Sequence, residues 1–179
     1  MRKIILFCGW GWSASSPLIY TLQRKIKYAH FGYTKNFLYL KKPYINQDGE
    51  LVFTSSSSVP FIIKKQIEGT WENFKSFEPS SHRMNLPQDL EPLRDFPVEN
   101  LKELITGEPT ISKYINFHIA LHDHVVSKGY KSVGDCRIGY KAFRKDLREF
   151  CKLLMFEFDV KFLFITRDPV RRAYSEFLF

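Results

Sequence analysis

The sequence predicts an α/β fold of three layers, with helices on both faces of a central parallel sheet, and three observations carry that expectation. Short continuous apolar runs at Lys3–Cys8 and Val160–Ile165 have the pattern of strands buried on both faces. Stretches with helical apolar spacing separate the strand runs, and strand alternating with helix implies parallel strands joined by right-handed crossovers. Each outer strand run ends in a turn that opens a helix: Gly9 to Pro17 after the first, Thr166 to Pro169 after the last.

At 179 residues the chain is expected to be a single domain over 1–179, long enough to bury a core. A hydrophobic content of 44% with 17 Phe excludes disorder. The net charge of +8 fits an anionic ligand or acceptor, nucleic acid, or simply a solvated basic surface. Cys8, Cys136 and Cys151 lack metal-ligand spacing, and their odd number argues against a disulfide framework, so they read as reduced core thiols. No run approaches the roughly 18 apolar residues of a membrane span. Met1 to Trp10 imitates a short signal peptide with Ser13-Ala14-Ser15 as its cleavage site. Cleavage there would remove the N-terminal loop motif, and a cytoplasmic chain is expected.

Taken in order, Lys3–Cys8 is the first strand and Gly9 to Leu18 a glycine-bearing loop opening a helix. Ser15 or Ser16 is expected to cap that helix with Pro17 at or near its first position. Such a loop points backbone N–H groups at an anion, and the helix dipole adds to the attraction. This is a P-loop-like phosphate-binding loop, but Ser15 stands where a full P-loop has Lys, which disfavours an ATP- or GTP-hydrolysing enzyme and a small-molecule kinase. Leu18, Ile19, Leu22 and Ile26 recur at helical spacing and should face the sheet. Tyr28 to Leu40 should end in a short strand, with His30 in a loop. Asn46-Gln-Asp-Gly49 reads as a turn or hairpin, Ile67–Phe77 as a helix, and 78–97, with four prolines, as a long irregular loop.

Thr110 should cap a helix running through Lys128 to Gly129, with Ile111, Ile115, Ile119, Leu121, Val125 and Val126 mostly on one side. His118 and His122, four apart on it, have the spacing of metal ligands, but no Glu completes a zinc-protease pattern. With His124 they read as solvated or boundary side chains, and no metal is expected. Lys131–Asp135 looks like a strand ending in a turn. Phe143, Leu147, Phe150 and Leu154 mark the amphipathic helix that leads to the last strand, after which Asp168 caps a helix with Pro169 at its first position.

The run Arg167-Asp-Pro-Val-Arg-Arg-Ala-Tyr-Ser175 after an apolar strand resembles the 3′-phosphate-binding motif of sulfotransferases that use 3′-phosphoadenosine 5′-phosphosulfate (PAPS). The resemblance implies that Arg167 and Ser175 hold the 3′-phosphate, which suits a bidentate guanidinium fork and a hydroxyl donor. A helix cap beside a surface arginine would account for the same letters. The loop after the first strand is similar to the 5′-phosphosulfate loop of the same family. Gly9, Ser13, Ser15 and Ser16 fit, Ala14 replaces a Gly, and Trp12 stands where a basic residue is common. The donor would therefore lie on Gly11, Trp12, Ser13, Ala14, Ser15 and Ser16. Gly134-Asp135 matches a third family element, whereas Cys136 to Gly139 departs from it. Asn36 takes the position of a family Glu that serves as base, and an amide cannot accept that proton. His30, Lys35 and Asp135 are the candidates for base and transition-state charge.

The resemblance covers Lys3–Asn36 and Lys131–Phe177 and implies a sulfotransferase with PAPS as donor and PAP as product. Its acceptor could be a saccharide, a lipid, a small alcohol or a protein tyrosine. Two other readings stay open: a non-catalytic relative that binds PAPS, PAP or another nucleotide, and, less favoured, a basic nucleic-acid-binding module.

Overall fold

The computed structural model describes residues 1–9, 15–32, 41–54, 66–69, 90–108, 110–135, 145–166 and 168–171. In chain order the strands are β1 (Arg2–Gly9), β2 (Ala29–His30), β3 (Lys41–Ile45), β4 (Leu51–Thr54), β5 (Ser132–Asp135) and β6 (Phe158–Ile165). The helices are α1 (Ser15–Tyr20), α2 (Val98–Ile105), α3 (Ile111–Ser127) and α4 (Lys145–Glu157). Four strands make one parallel sheet in the order β2-β5-β1-β6. The remaining two, β3 and β4, form the antiparallel hairpin expected around Asn46–Gly49. Its turn is set by Asn46 Oδ1, which accepts from the N–H groups of Asp48 and Glu50 at 3.0 and 2.9 Å, and by Gly49 at φ +78°.

Strand β1 alternates between two cores. Ile4 and Leu6 face one with Val133, Phe150, Leu154 and the apolar stripe of α3. Ile5 and Phe7 face the other with Ile19 of α1, Ala29 and Phe31. The sheet is therefore flanked by helices, α1 on one face and α3 and α4 on the other. From β1 through α1 to β2 the chain moves in one lateral direction; from β5 through α4 it crosses β1 to β6 in the other. Opposite directions on opposite faces give both crossovers the same hand, as parallel units require.

Several expectations need correction. Strand β6 is not buried on both faces: its one strand partner among the described residues is β1, and Phe164 is 59% exposed. Ser15 and Ser16 lie inside the first turn of α1 rather than before it, and the helix loosens into a π turn over Thr21–Lys25, with Ile26 N–H donating to Thr21 O at 3.1 Å. The segment 78–97 is not irregular throughout, since Glu91–Leu93 forms a 3₁₀ turn and Leu90, Leu93 and Phe96 are buried. Gln66 holds that turn, its Nε2 donating to Leu93 O at 2.8 Å and Phe96 O at 3.2 Å. Residues 66–67 are helical but turn at Gly69, φ +69°, and the remainder of the expected helix at 67–77 lies outside the described residues, as does 78–89.

Helix α2 had no sequence expectation. It starts after Pro97 and buries Leu101 and Leu104, three apart. In α3 the Thr110 cap is present, its side chain accepting from Lys113 N–H at 3.4 Å, and Gly129 at φ +91° follows the end. The buried stripe of α3 is displaced from the expected one. It runs through Ile111, Tyr114, Phe117, His118, Leu121 and Val125, leaving Ile115 and Ile119 half-buried and Val126 exposed.

Candidate functional site

All four parallel strands point their carboxyl ends to one edge. The next described element after β1 is α1 on one face of the sheet, and the next after β5 is α4 on the other. Adjacent strands whose continuations part to opposite faces open a crevice between them, the place where open α/β sheets take ligands. Register pairs Leu6 of β1 with Asp135, the last residue of β5, and Gly9 of β1 with Ile165, the last residue of β6. The stretches that begin at Trp10 and Thr166, 156 residues apart in sequence, thus depart from neighbouring strands.

Asp135 is buried, and the Tyr114 hydroxyl donates to its Oδ2 at 2.9 Å. Tyr114 comes from α3, is 1% exposed, lies against the His118 ring at 4.0 Å and meets Phe150 edge-on at 5.1 Å. His118 Nδ1 is 2.9 Å from Tyr114 O, so Nδ1 carries the proton and donates it to that carbonyl. Burial pushes the His118 pKa below its ordinary value; the charge of Asp135 and the carbonyl bond oppose that shift. A buried carboxylate, phenol and imidazole thus stand in line beneath the end of β5. The expectation of a solvated or boundary His118 is overturned. His122 and His124 do lie at the boundary, one ring nitrogen of His122 on Asp123 at 3.1 Å and one of His124 on Pro92 O at 2.8 Å.

His30, expected in a loop, ends β2 and is fully buried. Its Nδ1 accepts from Gly32 N–H at 3.0 Å, and its ring meets Tyr130 edge-on at 4.9 Å. Gly134 leaves room for a neighbour: a Cβ there would come within 2.3 Å of the Phe31 ring. Asp168 caps as expected, Oδ1 accepting from Arg171 N–H at 2.9 Å, with Pro169 opening the turn at residues 169–171. The backbones of Ser15 and Ser16 begin α1, where first-turn N–H groups have no partner within the helix. Gly11, Trp12, Ser13, Ala14, Lys35, Arg167 and Ser175 lie outside the described residues.

Tyr114 is the residue that sequence reasoning missed. Its signal was the spacing of three and four to Phe117 and His118, which marks a common face of a helix. Cys151 is a buried thiol whose pKa is pushed up to about 11 by burial, an inert core group rather than a nucleophile. Among the described residues no helix is long and apolar enough to cross a membrane, and no group of three or more His, Cys, Asp or Glu converges as a metal site would. Comparison of the chain with protein-family models, with curated proteins and with solved structures finds no match.

Proposed function

We propose that this chain is a sulfotransferase-like domain with a P-loop-like phosphate loop that binds PAPS at the carboxyl edge of its sheet and transfers the sulfuryl group to a hydroxyl or amine. The observation that carries the reading is the register of β1 with β6, Gly9 opposite Ile165. It starts the two phosphate-motif stretches on adjacent strands, as a ligand with phosphates at both ends of a ribose needs. The start of α1 at the same edge would turn first-turn N–H groups, which have no partner within the helix, to the 5′-phosphosulfate, alongside residues 11–16. Arg167 and Ser175 would take the 3′-phosphate. PAPS supplies an activated sulfuryl group; the chain's part is to hold donor and acceptor in line and to balance charge.

A proton acceptor and a cation at the transferred group are the demanding parts. Asp135 has a hydrogen-bonded carboxylate beside the crevice, and Lys35 would bring a positive charge. His30 is fully buried, and its Nδ1, the nitrogen without a proton, already accepts from Gly32 N–H, so it serves as base only if that bond breaks and β2 opens at its end. That burial favours the second reading, a relative that binds PAP or PAPS without turnover.

Calorimetry with PAP and AMP, on wild type and Arg167→Ala, tests the donor site. A charged hydrogen bond to phosphate contributes about 1.5–3 kcal/mol, so wild type should prefer PAP by roughly tenfold or more and the variant should lose the preference. Equal binding of PAP and AMP sinks the reading. Where the preference holds, transfer of labelled sulfate from PAPS to a panel of saccharide, phenol and alcohol acceptors separates enzyme from binder.

A further inference from the structure

The segments that lead into the parallel strands all arrive at the amino edge of the sheet, opposite the crevice. Arg2 lies beside Phe158, and Lys131 N–H donates to Tyr28 O at 3.1 Å. With strands about 4.8 Å apart, four neighbouring strands put these segments within about 15 Å of one another. Three of them hold bulky apolar side chains in water. Ile26 is 57% exposed ahead of β2, Val126 41% ahead of β5, and Met155 and Phe156 49% and 81% ahead of β6.

Lysines stand between them. Lys3, Lys25, Lys27 and Lys131 are exposed, and among the described residues none is held by a carboxylate. Lys25 and Lys27 bracket Ile26 directly. Lys27 has φ +46°, a conformation glycine adopts more readily, yet the position carries a cation. The acids nearby are fewer, and Asp159 is paired with Lys161 at 2.8 Å. Apolar side chains rimmed by unpaired cations mark a surface with a partner.

Three partners compete. A second copy packed about a two-fold axis would press these lysines against their own equivalents. A nucleic acid would use the charge but gain nothing from exposed Ile26, Val126 and Met155, and these residues form no aromatic stacking platform. An anionic bilayer uses both kinds of side chain, lysines at the headgroups and apolar tips at the acyl boundary. We propose that the amino edge of the sheet is a peripheral docking surface for anionic membranes, engaged through Lys3, Lys25, Lys27 and Lys131 with Ile26, Val126 and Phe156 entering the interface. Strand β1, 8 residues long, would hold the crevice about 26 Å from the lipid and open to solution. This inference does not depend on what the crevice binds.

Flotation with vesicles of phosphatidylcholine, alone or with about one-third phosphatidylserine, tests it. The chain should float with the anionic vesicles only. Each lysine near such a surface strengthens binding about fivefold, so Lys25→Gln with Lys27→Gln should weaken it about 25-fold. Ile26→Ser with Phe156→Ser, which leaves the charge intact, should remove the part of the binding that survives raised salt. Equal flotation with both vesicle types, or variants that float like wild type, overturns the proposal. So does single-stranded DNA that displaces the chain from vesicles at equal charge, which would make the edge a nucleic-acid surface. A mass that doubles with concentration and returns to monomer in the serine variant would assign the edge to a second copy instead.

Discussion

Gly134 shows, at the scale of a single residue, how closely the core on the α1 face packs against the backbone of β5. It has no left-handed backbone to protect, so an alanine would suit the strand itself. What forbids the methyl is the Phe31 ring, whose carbons lie 2.3, 2.6 and 2.8 Å from the Cβ position, with Phe31 itself braced edge-on by Phe7 at 5.6 Å. Overpacking of this kind costs about 1–3 kcal/mol. Gly134→Ala should lower the unfolding free energy by that amount, read as a lower urea midpoint at unchanged slope, and adding Phe31→Leu should restore part of the loss. Additive losses would mean that the ring is not the obstacle. His118 makes a different prediction. Its folded-state pKa lies below the 6.5 of the free side chain because burial disfavours the charged ring. Between those two values the unfolded chain binds a proton that the folded chain refuses, so stability is fully present above about pH 6.5 and declines as pH falls below it. Unfolding measured from pH 8 to pH 5 should show that decline, flattened in His118→Gln by at most about 1.4 kcal/mol per pH unit. Identical profiles for the two proteins would mean that the ring is already charged in the fold.

At the scale of elements, the strands were legible wherever an apolar run met a turn signal. Lys3–Cys8, Lys131–Asp135 and Val160–Ile165 each came within two residues of β1, β5 and β6. The burial of β6 was not legible, because an apolar run has the same composition at an edge as at a centre. Helix α2 and the 3₁₀ turn were lost behind the prolines of 78–97, although Leu90, Leu93 and Phe96 recur every three residues and Leu101 and Leu104 stand three apart beyond them. In α3 the ends were legible from Thr110 and Gly129, but the stripe was not, because tyrosine and histidine enter a core only where partners such as Asp135 and Tyr114 O meet their polar atoms, and those partners come from the fold. The cap can be checked. A bond of 3.4 Å is long, so Thr110→Ala should sit toward the low end of the 0.5–2 kcal/mol range for cap removal. A loss above about 2 kcal/mol would mean that the buried Thr110 side chain contributes packing beyond the cap.

The whole molecule is organised by β1, whose neighbours on either side arrive by crossovers over opposite faces. The crevice follows from that arrangement, and so does a gradient of stability. β1 is hydrogen-bonded on both sides, to β5 over Ile4–Leu6 and to β6 along all eight residues, and its side chains from Ile4 to Phe7 are at most 6% exposed. β6 has β1 on one side among the described residues, and the two-stranded hairpin β3–β4 packs Leu51 and Val52 inward and is otherwise held by polar contacts to Glu108, ahead of α3. There Tyr44 hydroxyl and Asn46 Nδ2 donate to the Glu108 carboxylate at 2.8 and 3.0 Å, which also hold that carboxyl below its usual pKa. Surface contacts of that kind contribute little, whereas apolar burial supplies most of the resistance to opening. Amide hydrogen exchange should therefore protect β1 and β5 longest, β6 less, and the hairpin least. Protection of the hairpin equal to that of β1 would mean that the two sheets open as one unit. Early exchange in β5 would mean that the wall of the crevice, Asp135 included, is loose, and that any ligand held there must first order the end of that strand.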